Sequence, residues 1–452
     1  MGSNQVLPIL VTGMGRSGST LMMSLLGGDE RCVFDKVYPF ESRYLSLFAS
    51  IAAKWQGWKF GGSGAEAAGI GMFPTLLRCS TATGDLMAIP SSREVFFSLW
   101  ETFLASARQG NPQALFYAEK GREWVPPFLQ DLLSVYTVYL FRDPRDIFLS
   151  INAFTQKTGH GFGREPGGDD LDHARTLCYR FLYRFENYRA LKLSSGACSL
   201  VRYEDLVSDA QGATGELRQA TGIEPAANAA LDHYSKHSTT PDVKSSIGRW
   251  KREGLDPRVR TCIVQTLREP LRELNYDLED DEDFRGLPDL VFDQRCSVPP
   301  SVQGGRVKQL SAMGMELEPA DGMLSVELPL SPLAADQIDE MWVCFSDTAG
   351  SVARLQWRSA NQDFSDERSI ELGYDPGSHV NALRFNMRAA HSWRGQITGL
   401  RLCLVGHAHP EEKARTVCLR RIKPIGARLV SSGHPDSRAP ARKVFDFFLR
   451  RS

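Results

Sequence analysis

The chain opens with neither a basic segment leading into an apolar one nor an apolar run of membrane length; "VLPILV" is far too short to span a bilayer. A cytoplasmic protein is therefore expected. Cysteine is too scattered for a disulfide framework or a zinc site: there are nine in 452 residues, an odd number, and no two are spaced as CxxC. Buried thiols in a reducing compartment fit that usage. Net charge is nearly absent, with 53 Lys and Arg against 54 Asp and Glu, so no overall field draws in nucleic acid or anionic lipid. Any affinity for an anion has to be local. The composition, 42% hydrophobic and 24% charged, is that of a globular protein, and the length suggests two or three domains.

The most informative absence is a single lysine. Residues 10–20, "LVTGMGRSGST", match the phosphate-loop pattern G-x-x-x-x-G-K-[ST] from Gly13 to Thr20 except that Ser19 stands where the lysine belongs. Arg16 lies three residues earlier. The loop follows a short β-branched run and precedes "STLMMSLLGG", which has helical spacing until Gly27 and Gly28 stop it. Strand, glycine loop and helix together turn successive backbone N–H groups into one concavity at the positive end of a helix dipole, a site for phosphate or sulfate. Without the lysine that reaches β- and γ-phosphates, triphosphate chemistry is poorly supported.

The same syntax recurs at "SVYTVYLFRDPRDIFLSINAF": a strand from Val135 to Phe141, a turn with Pro144, and a helix whose N-cap is expected at Asp143. Arg142 ends the strand and Ser150 lies eight residues on, so the turn can fold both toward one anion. A third strand, "CSLVRYEDLV", again places its polar residues at its C-terminal end. Alternating strands and helices predict a parallel α/β sheet with its ligand beyond the carboxyl ends of the strands. Two anion sites on neighbouring strand ends suit a ligand with two separated anionic groups.

The composition changes near residue 285. "LSVELPL", "EMWVCFSD", "ARLQWRSA", "HVNALRFNM", "ITGLRLCLVG" and "TVCLRRIKP" are short, alternating and separated by turn residues, which predicts a β-sandwich. The expected organisation is an α/β domain over 1–285, a linker over 286–305, the sandwich over 306–426 and a tail over 427–452 that ends in a short basic amphipathic segment. That segment suits either weak contact with an anionic membrane surface or docking on the protein itself.

Four segments, in order, carry a family resemblance over roughly residues 6–280. "GMGRSGSTLM" resembles the 5'-phosphosulfate loop of sulfotransferases that use 3'-phosphoadenosine 5'-phosphosulfate (PAPS), and "LFRDPRDIFLS" resembles their 3'-phosphate motif. "VRYEDLV" and "SIGRWKREG" are similar to downstream segments of the same family. The resemblance implies a P-loop-like sulfotransferase fold, PAPS as sulfuryl donor and no metal. It also implies that Gly15, Arg16, Ser17, Gly18, Ser19 and Thr20 wrap the phosphosulfate, with Arg16 beside the bridging oxygen. Arg142 and Ser150 would hold the 3'-phosphate, and Tyr203, Trp250 and Lys251, helped by Arg249, would surround the adenine and that phosphate.

Sulfuryl transfer to a hydroxyl needs a base, commonly histidine. The first histidine here is His160, and none lies between the loop and "RDPRD", where cytosolic members of the family carry theirs. Glu41, two residues before Arg43 in "VYPFESRYLSLF", is similar to the Glu-x-Arg segment holding the base in tyrosylprotein sulfotransferases. Glu41 is thus the first expectation, with Glu119 or Glu123 of "AEKGREW" in reserve. Lys120 matches a lysine common in bacterial-type members and is expected at the reacting group; Arg43, Glu119 and Glu123 are expected to line the acceptor. The segment from Ala49 to Thr83 suits an acceptor wall, a lid or a flexible surface excursion.

The β-module looks like the galactose-binding-like sandwiches of glycan-acting enzymes. Trp357, Trp393 and Phe364 suit either stacking on sugar faces or plain core. A carbohydrate or other hydroxyl-bearing acceptor is expected, and nucleic acid is not. Two other readings stay open: a P-loop kinase, and a non-catalytic glycan-binding protein with a vestigial nucleotide fold.

Overall fold

The computed structural model describes residues 6–59, 91–121, 129, 132–159, 168–227, 239–278, 290–292, 300–312, 314–320, 322–328, 332–374, 380–406 and 415–426. The C-terminal tail, most of the 49–83 segment and Glu123 lie outside them. Among the described residues, no helix is long and apolar enough to cross a membrane. None of the described cysteines forms a disulfide, and all are buried.

The first unit is a five-stranded sheet, all parallel, with strands in the order β2-β3-β1-β4-β5. They are β1 (Leu7–Gly13), β2 (Cys32–Phe34), β3 (Phe116–Lys120), β4 (Tyr136–Phe141) and β5 (Cys198–Arg202). The interiors of β1, β3 and β4 are buried from end to end, as strands covered by helices on both faces must be. The strand order reverses at β1, and a sheet of this kind takes its ligand at such a reversal, beyond the carboxyl ends of the strands.

Local chemistry sets the helices. α1 (Ser19–Leu26) follows the glycine loop directly and stops at Gly27. α2 (Tyr44–Lys59) packs against α3 (Ser92–Gly110), whose start is a capping box between Ser91 and Glu94. α4 (Pro144–Thr158) begins at the expected cap, where the Asp143 carboxylate accepts from the Arg145 N–H, and it ends at left-handed Gly159. α5 (Asp170–Ser194) packs along α8 (Pro257–Glu273); between them in sequence lie α6 (Tyr203–Ser208) and α7 (Arg249–Glu253).

The second unit is a β-sandwich of two six-stranded antiparallel sheets. One runs β14-β13-β16-β10-β7 with β11 paired to β16, the other β15-β12-β17-β9-β8 with β6 paired to β17. The strands are β6 (Leu290–Val291), β7 (Ser301–Gln303), β8 (Gly305–Ser311), β9 (Gly314–Pro319), β10 (Met323–Leu328), β11 (Leu333–Ala334), β12 (Ile338–Asp347), β13 (Gly350–Ser359), β14 (Ser369–Gly373), β15 (Asn381–Asn386), β16 (Gln396–Gly406) and β17 (Val417–Gly426). Each of the six alternating segments singled out in the sequence contains or overlaps a strand. The stretch expected as linker, 286–305, carries β6 and β7, which pair with β17 and β10. Strands of two or three residues leave too short an alternation to be read among prolines and glycines.

The two units share a core. Trp342 and Ile425 of the sandwich are buried in one cluster with Cys178, Phe181, Phe185, Cys262 and Ile263 of α5 and α8. Around them, Arg421 pairs with Glu186 at 3.1 Å and Glu269 at 2.5 Å, and Arg175 pairs with Asp339 at 3.0 Å. The sheet containing β12, β15 and β17 is therefore the docking face. On the other sheet, core side chains alternate with polar ones on the face opposite the core. Arg354, Cys403 and Ser325 stand in register across β13, β16 and β10, and Gln356, Arg401 and Glu327 form the next row.

Candidate functional site

The loop between β1 and α1 turns on two left-handed residues, Arg16 (φ 70°) and Gly18 (φ 96°). Gly18 has a second reason to be glycine, because a Cβ there would stand 2.4 Å from the Tyr203 ring. No side chain caps the start of α1, and its first turn carries no acidic residue. The Ser17 hydroxyl is fully buried and has no hydrogen-bond partner among the described residues. Open helix N–H groups beside an unsatisfied buried donor are what an anion would complete.

A second cluster lies beyond β4. Arg16 Nε donates to Ser150 Oγ at 3.1 Å, with its guanidinium 4.9 Å from the Phe154 ring. Ser150 Oγ is 3.4 Å from Thr239 Oγ1, and Arg249 Nη1 donates to that same hydroxyl at 3.1 Å. Two guanidinium groups and two hydroxyls thus converge, and Arg249 is held by a bidentate pair with Glu253 at 2.7 and 2.8 Å.

Arg142 serves this cluster from behind. It donates to the carbonyls of Arg16 at 2.8 Å and Ser246 at 2.6 Å while lying 4.6 Å from the centre of the Tyr203 ring. The Tyr203 hydroxyl pairs with Ser246 Oγ at 2.8 Å. Asp146, whose carboxyl is pushed up by burial against the hydrogen bonds it makes, accepts from the N–H groups of Trp250 and Gly248. Trp250 is buried under Arg145, with its indole N–H on Asp143. Lys251 points elsewhere, to Asp277 at 2.5 Å on the exposed side.

The third group gathers at the end of β3. Lys120 Nζ donates to Thr20 Oγ1 at 2.9 Å and to the Pro39 carbonyl at 2.5 Å, with Glu41 Oε1 at 3.7 Å. Burial brings the lysine down to about 8, although the Glu41 carboxylate favours its charged form. The Lys120 side chain is 6% exposed and that of Glu41 is 56% exposed, so the carboxylate is open to solvent while the amine is not. Arg43 Nε is buried without a hydrogen-bond partner among the described residues.

Glu119, the neighbour of Lys120, has a different role. Its carboxylate accepts from the N–H groups of Leu45 (2.9 Å) and Ser46 (3.0 Å), the Ser46 hydroxyl (2.5 Å) and the Tyr117 hydroxyl (2.8 Å). It closes the open N-terminus of α2 from another strand, and burial pushes its carboxyl up. A carboxylate so occupied is a helix cap, and Glu123, the other reserve base, lies outside the described residues. Thr239 lies outside every quoted motif, whereas Asp146 and Ser246 stand inside "LFRDPRDIFLS" and "SIGRWKREG" without an expected role; for Thr239 the run of hydroxyl residues before "GRW" is the local signal.

In the sandwich, Trp357 and Trp393 are core, meeting edge to face at 5.3 Å with their indole N–H groups on the carbonyls of Ser392 and Ala335. They are closed to a sugar. Phe364 is half-buried, with Arg401 4.0 Å and Arg358 5.1 Å from its ring centre.

No family model matches this chain, and no curated protein does. Among solved structures, a sulfotransferase domain from the curacin biosynthetic pathway is similar at 15% identity, covering 61% of this chain and 100% of that one, with a TM-score of 0.36. A low-affinity xylan-binding module from Roseburia intestinalis is similar at 14% identity, over 31% of this chain and 98% of its own, with a TM-score of 0.24. The C-terminal carbohydrate-binding module of a Zobellia galactanivorans laminarinase covers 30% and 98% at 8% identity, with a TM-score of 0.21. The chain is a parallel α/β sheet flanked by helices, followed by a β-sandwich.

Proposed function

We propose that the protein is a PAPS-dependent sulfotransferase acting on a hydroxyl, with a carbohydrate as the acceptor class. One observation carries the reading: an open phosphate loop with the unsatisfied Ser17 hydroxyl lies next to a separate Arg16–Ser150–Thr239–Arg249 cluster. A donor with a 5'-phosphosulfate and a 3'-phosphate matches two such sites on adjoining strand ends. The α/β unit, 1–285, is assigned the transfer and the sandwich a glycan-holding role, for which its polar rows supply donors and acceptors.

In this mechanism Glu41 takes the proton of the acceptor hydroxyl while its oxygen attacks sulfur in line. The bond from sulfur to the phosphate oxygen breaks, and adenosine 3',5'-bisphosphate leaves with the electron pair. Lys120, beside Thr20, is assigned to the charge growing on the leaving side. Arg16, expected at the bridging oxygen, faces Ser150 and is assigned to the 3'-phosphate with Arg249. The test is calorimetric titration with adenosine 3',5'-bisphosphate against ATP plus magnesium. Tighter binding of the bisphosphate, without metal, is expected; preference for ATP and magnesium would replace this reading with a kinase.

A further inference from the structure

Loop 35–42 brings Glu41 and the Pro39 carbonyl to Lys120, and it does so without any regular structure of its own. Phe40 in its middle sits at φ 64°, a conformation that bulky side chains avoid, so something has to hold the loop in shape. Asp35 spans both of its ends. One carboxylate oxygen accepts from the Val37 N–H at 2.8 Å and the other from the Ser42 N–H at 3.0 Å. Burial pushes this carboxyl up, but hydrogen bonds from the N–H groups of Ser42, Val37 and Glu41 and from the Ser42 hydroxyl outweigh it and hold the group below its ordinary value.

We propose that Asp35 is the positioning residue of the transfer centre: its carboxylate closes loop 35–42 and thereby fixes the Glu41 carboxylate and the Pro39 carbonyl against Lys120. Its bearing on catalysis rests on the sulfuryl-transfer reading, whereas the clamp does not. Asp35 touches no reacting atom in this scheme. It acts through Glu41.

Two measurements separate these parts. The first is the rate at which 2,4,6-trinitrobenzenesulfonate labels Lys120, followed across pH by peptide mapping. The charged groups acting on this amine are Glu41, Arg43 and Asp35. E41Q removes a carboxylate that favours the ammonium and lowers the labelling midpoint. D35N lowers it too, partly by removing its own charge and partly through the displaced Glu41 carboxylate, so it adds less than its separate effect when built into E41Q. An unchanged midpoint in D35N, or strictly additive shifts, would overturn the clamp.

The second measurement is transfer from PAPS to a panel of mono- and oligosaccharides, followed as release of adenosine 3',5'-bisphosphate, a reaction in which Glu41 has to take the hydroxyl proton. D35N is expected to lose kcat on the order of 100-fold, as misplacing a catalytic group does, with KM for PAPS within about twofold. D35E restores part of the loss. Equal kcat in D35N, or nucleotide affinity falling in step with kcat, would count against a positioning role. A wild-type protein that turns over PAPS with none of these sugars would count against the carbohydrate-sulfotransferase reading and leave the labelling result to decide the clamp. Should D35N fail to fold by circular dichroism, D35E is carried through the same labelling cycle with E41Q.

Discussion

The amine of Lys120 lies 2.9 Å from the hydroxyl of Thr20, although 100 residues separate them. Thr20 ends the phosphate-loop signature, and β3, which carries Lys120, runs parallel to β1 with Val11 and Lys120 in register. The cation absent from position 19 is thus present in space, delivered by the neighbouring strand.

This lysine should make nucleotide affinity pH-dependent. With its value lowered to about 8 by burial, the ammonium is present below that pH and lost above it. Anion binding favours the ammonium, so affinity for adenosine 3',5'-bisphosphate should hold below about pH 8 and then weaken by up to roughly tenfold per pH unit. Calorimetry across pH 7 to 10 would show the bend, and K120M should bind more weakly and lack it. For the empty protein the sign is opposite: the unfolded chain holds the proton to higher pH, so this group adds stability as pH rises past about 8.

Arg249 and Arg142 should differ in kind. Arg249→Ala removes a guanidinium from the Ser150–Thr239 cluster, and we expect about 10- to 100-fold weaker binding of the bisphosphate with adenosine 5'-monophosphate little changed. Arg142→Ala unties the carbonyls of Arg16 and Ser246, and so should weaken both nucleotides. Parallel titrations decide it: a selective loss in Arg142→Ala would make that residue a direct phosphate ligand.

Glu119→Gln should cost stability before it affects chemistry. An amide keeps one acceptor but turns an N–H toward donors that expect oxygen, so a loss of about 2–3 kcal/mol is expected in urea unfolding. Glu41→Gln, at a largely exposed side chain, should unfold like the wild type while transfer is abolished. Stable Glu119→Gln with no transfer would return Glu119 to the role of base.

The sandwich should not unfold separately. Arg421 and Glu186 are both buried, and Arg421→Met leaves Glu186 without its partner, a change of about 3–5 kcal/mol in comparable buried pairs. Scanning calorimetry should show one transition for the wild type, split or shifted down in the variant. Two independent wild-type transitions would mean that the shared core around Trp342 does not couple the units.

What was legible in the sequence was local. β1, its loop and α1 follow from β-branched residues, glycines and helical spacing between Leu7 and Leu26, and the Asp143 cap and the sandwich strands follow from equally short patterns. The convergence of Arg16, Ser150, Thr239 and Arg249 was legible only in part, because it depends on how a stretch beyond residue 238 returns to the end of β4. Glu119 and Lys120 are adjacent in the sequence and do opposite things, one capping a helix and the other reaching the loop, because successive strand residues face opposite sides of the sheet. Alternation likewise turns Trp357 inward, which no count of aromatics could decide.

The contact between Gly18 and the Tyr203 ring has a thermodynamic consequence. A loop whose left-handed turn is braced by a ring from the far end of the sheet has few conformations left to lose when a ligand arrives. Its ordering entropy has already been settled during folding, so the hydrogen bonds it offers an anion translate more fully into affinity. Any side chain larger than hydrogen at position 18 would force ring and loop apart, and the same contacts would then have to be assembled at the moment of binding.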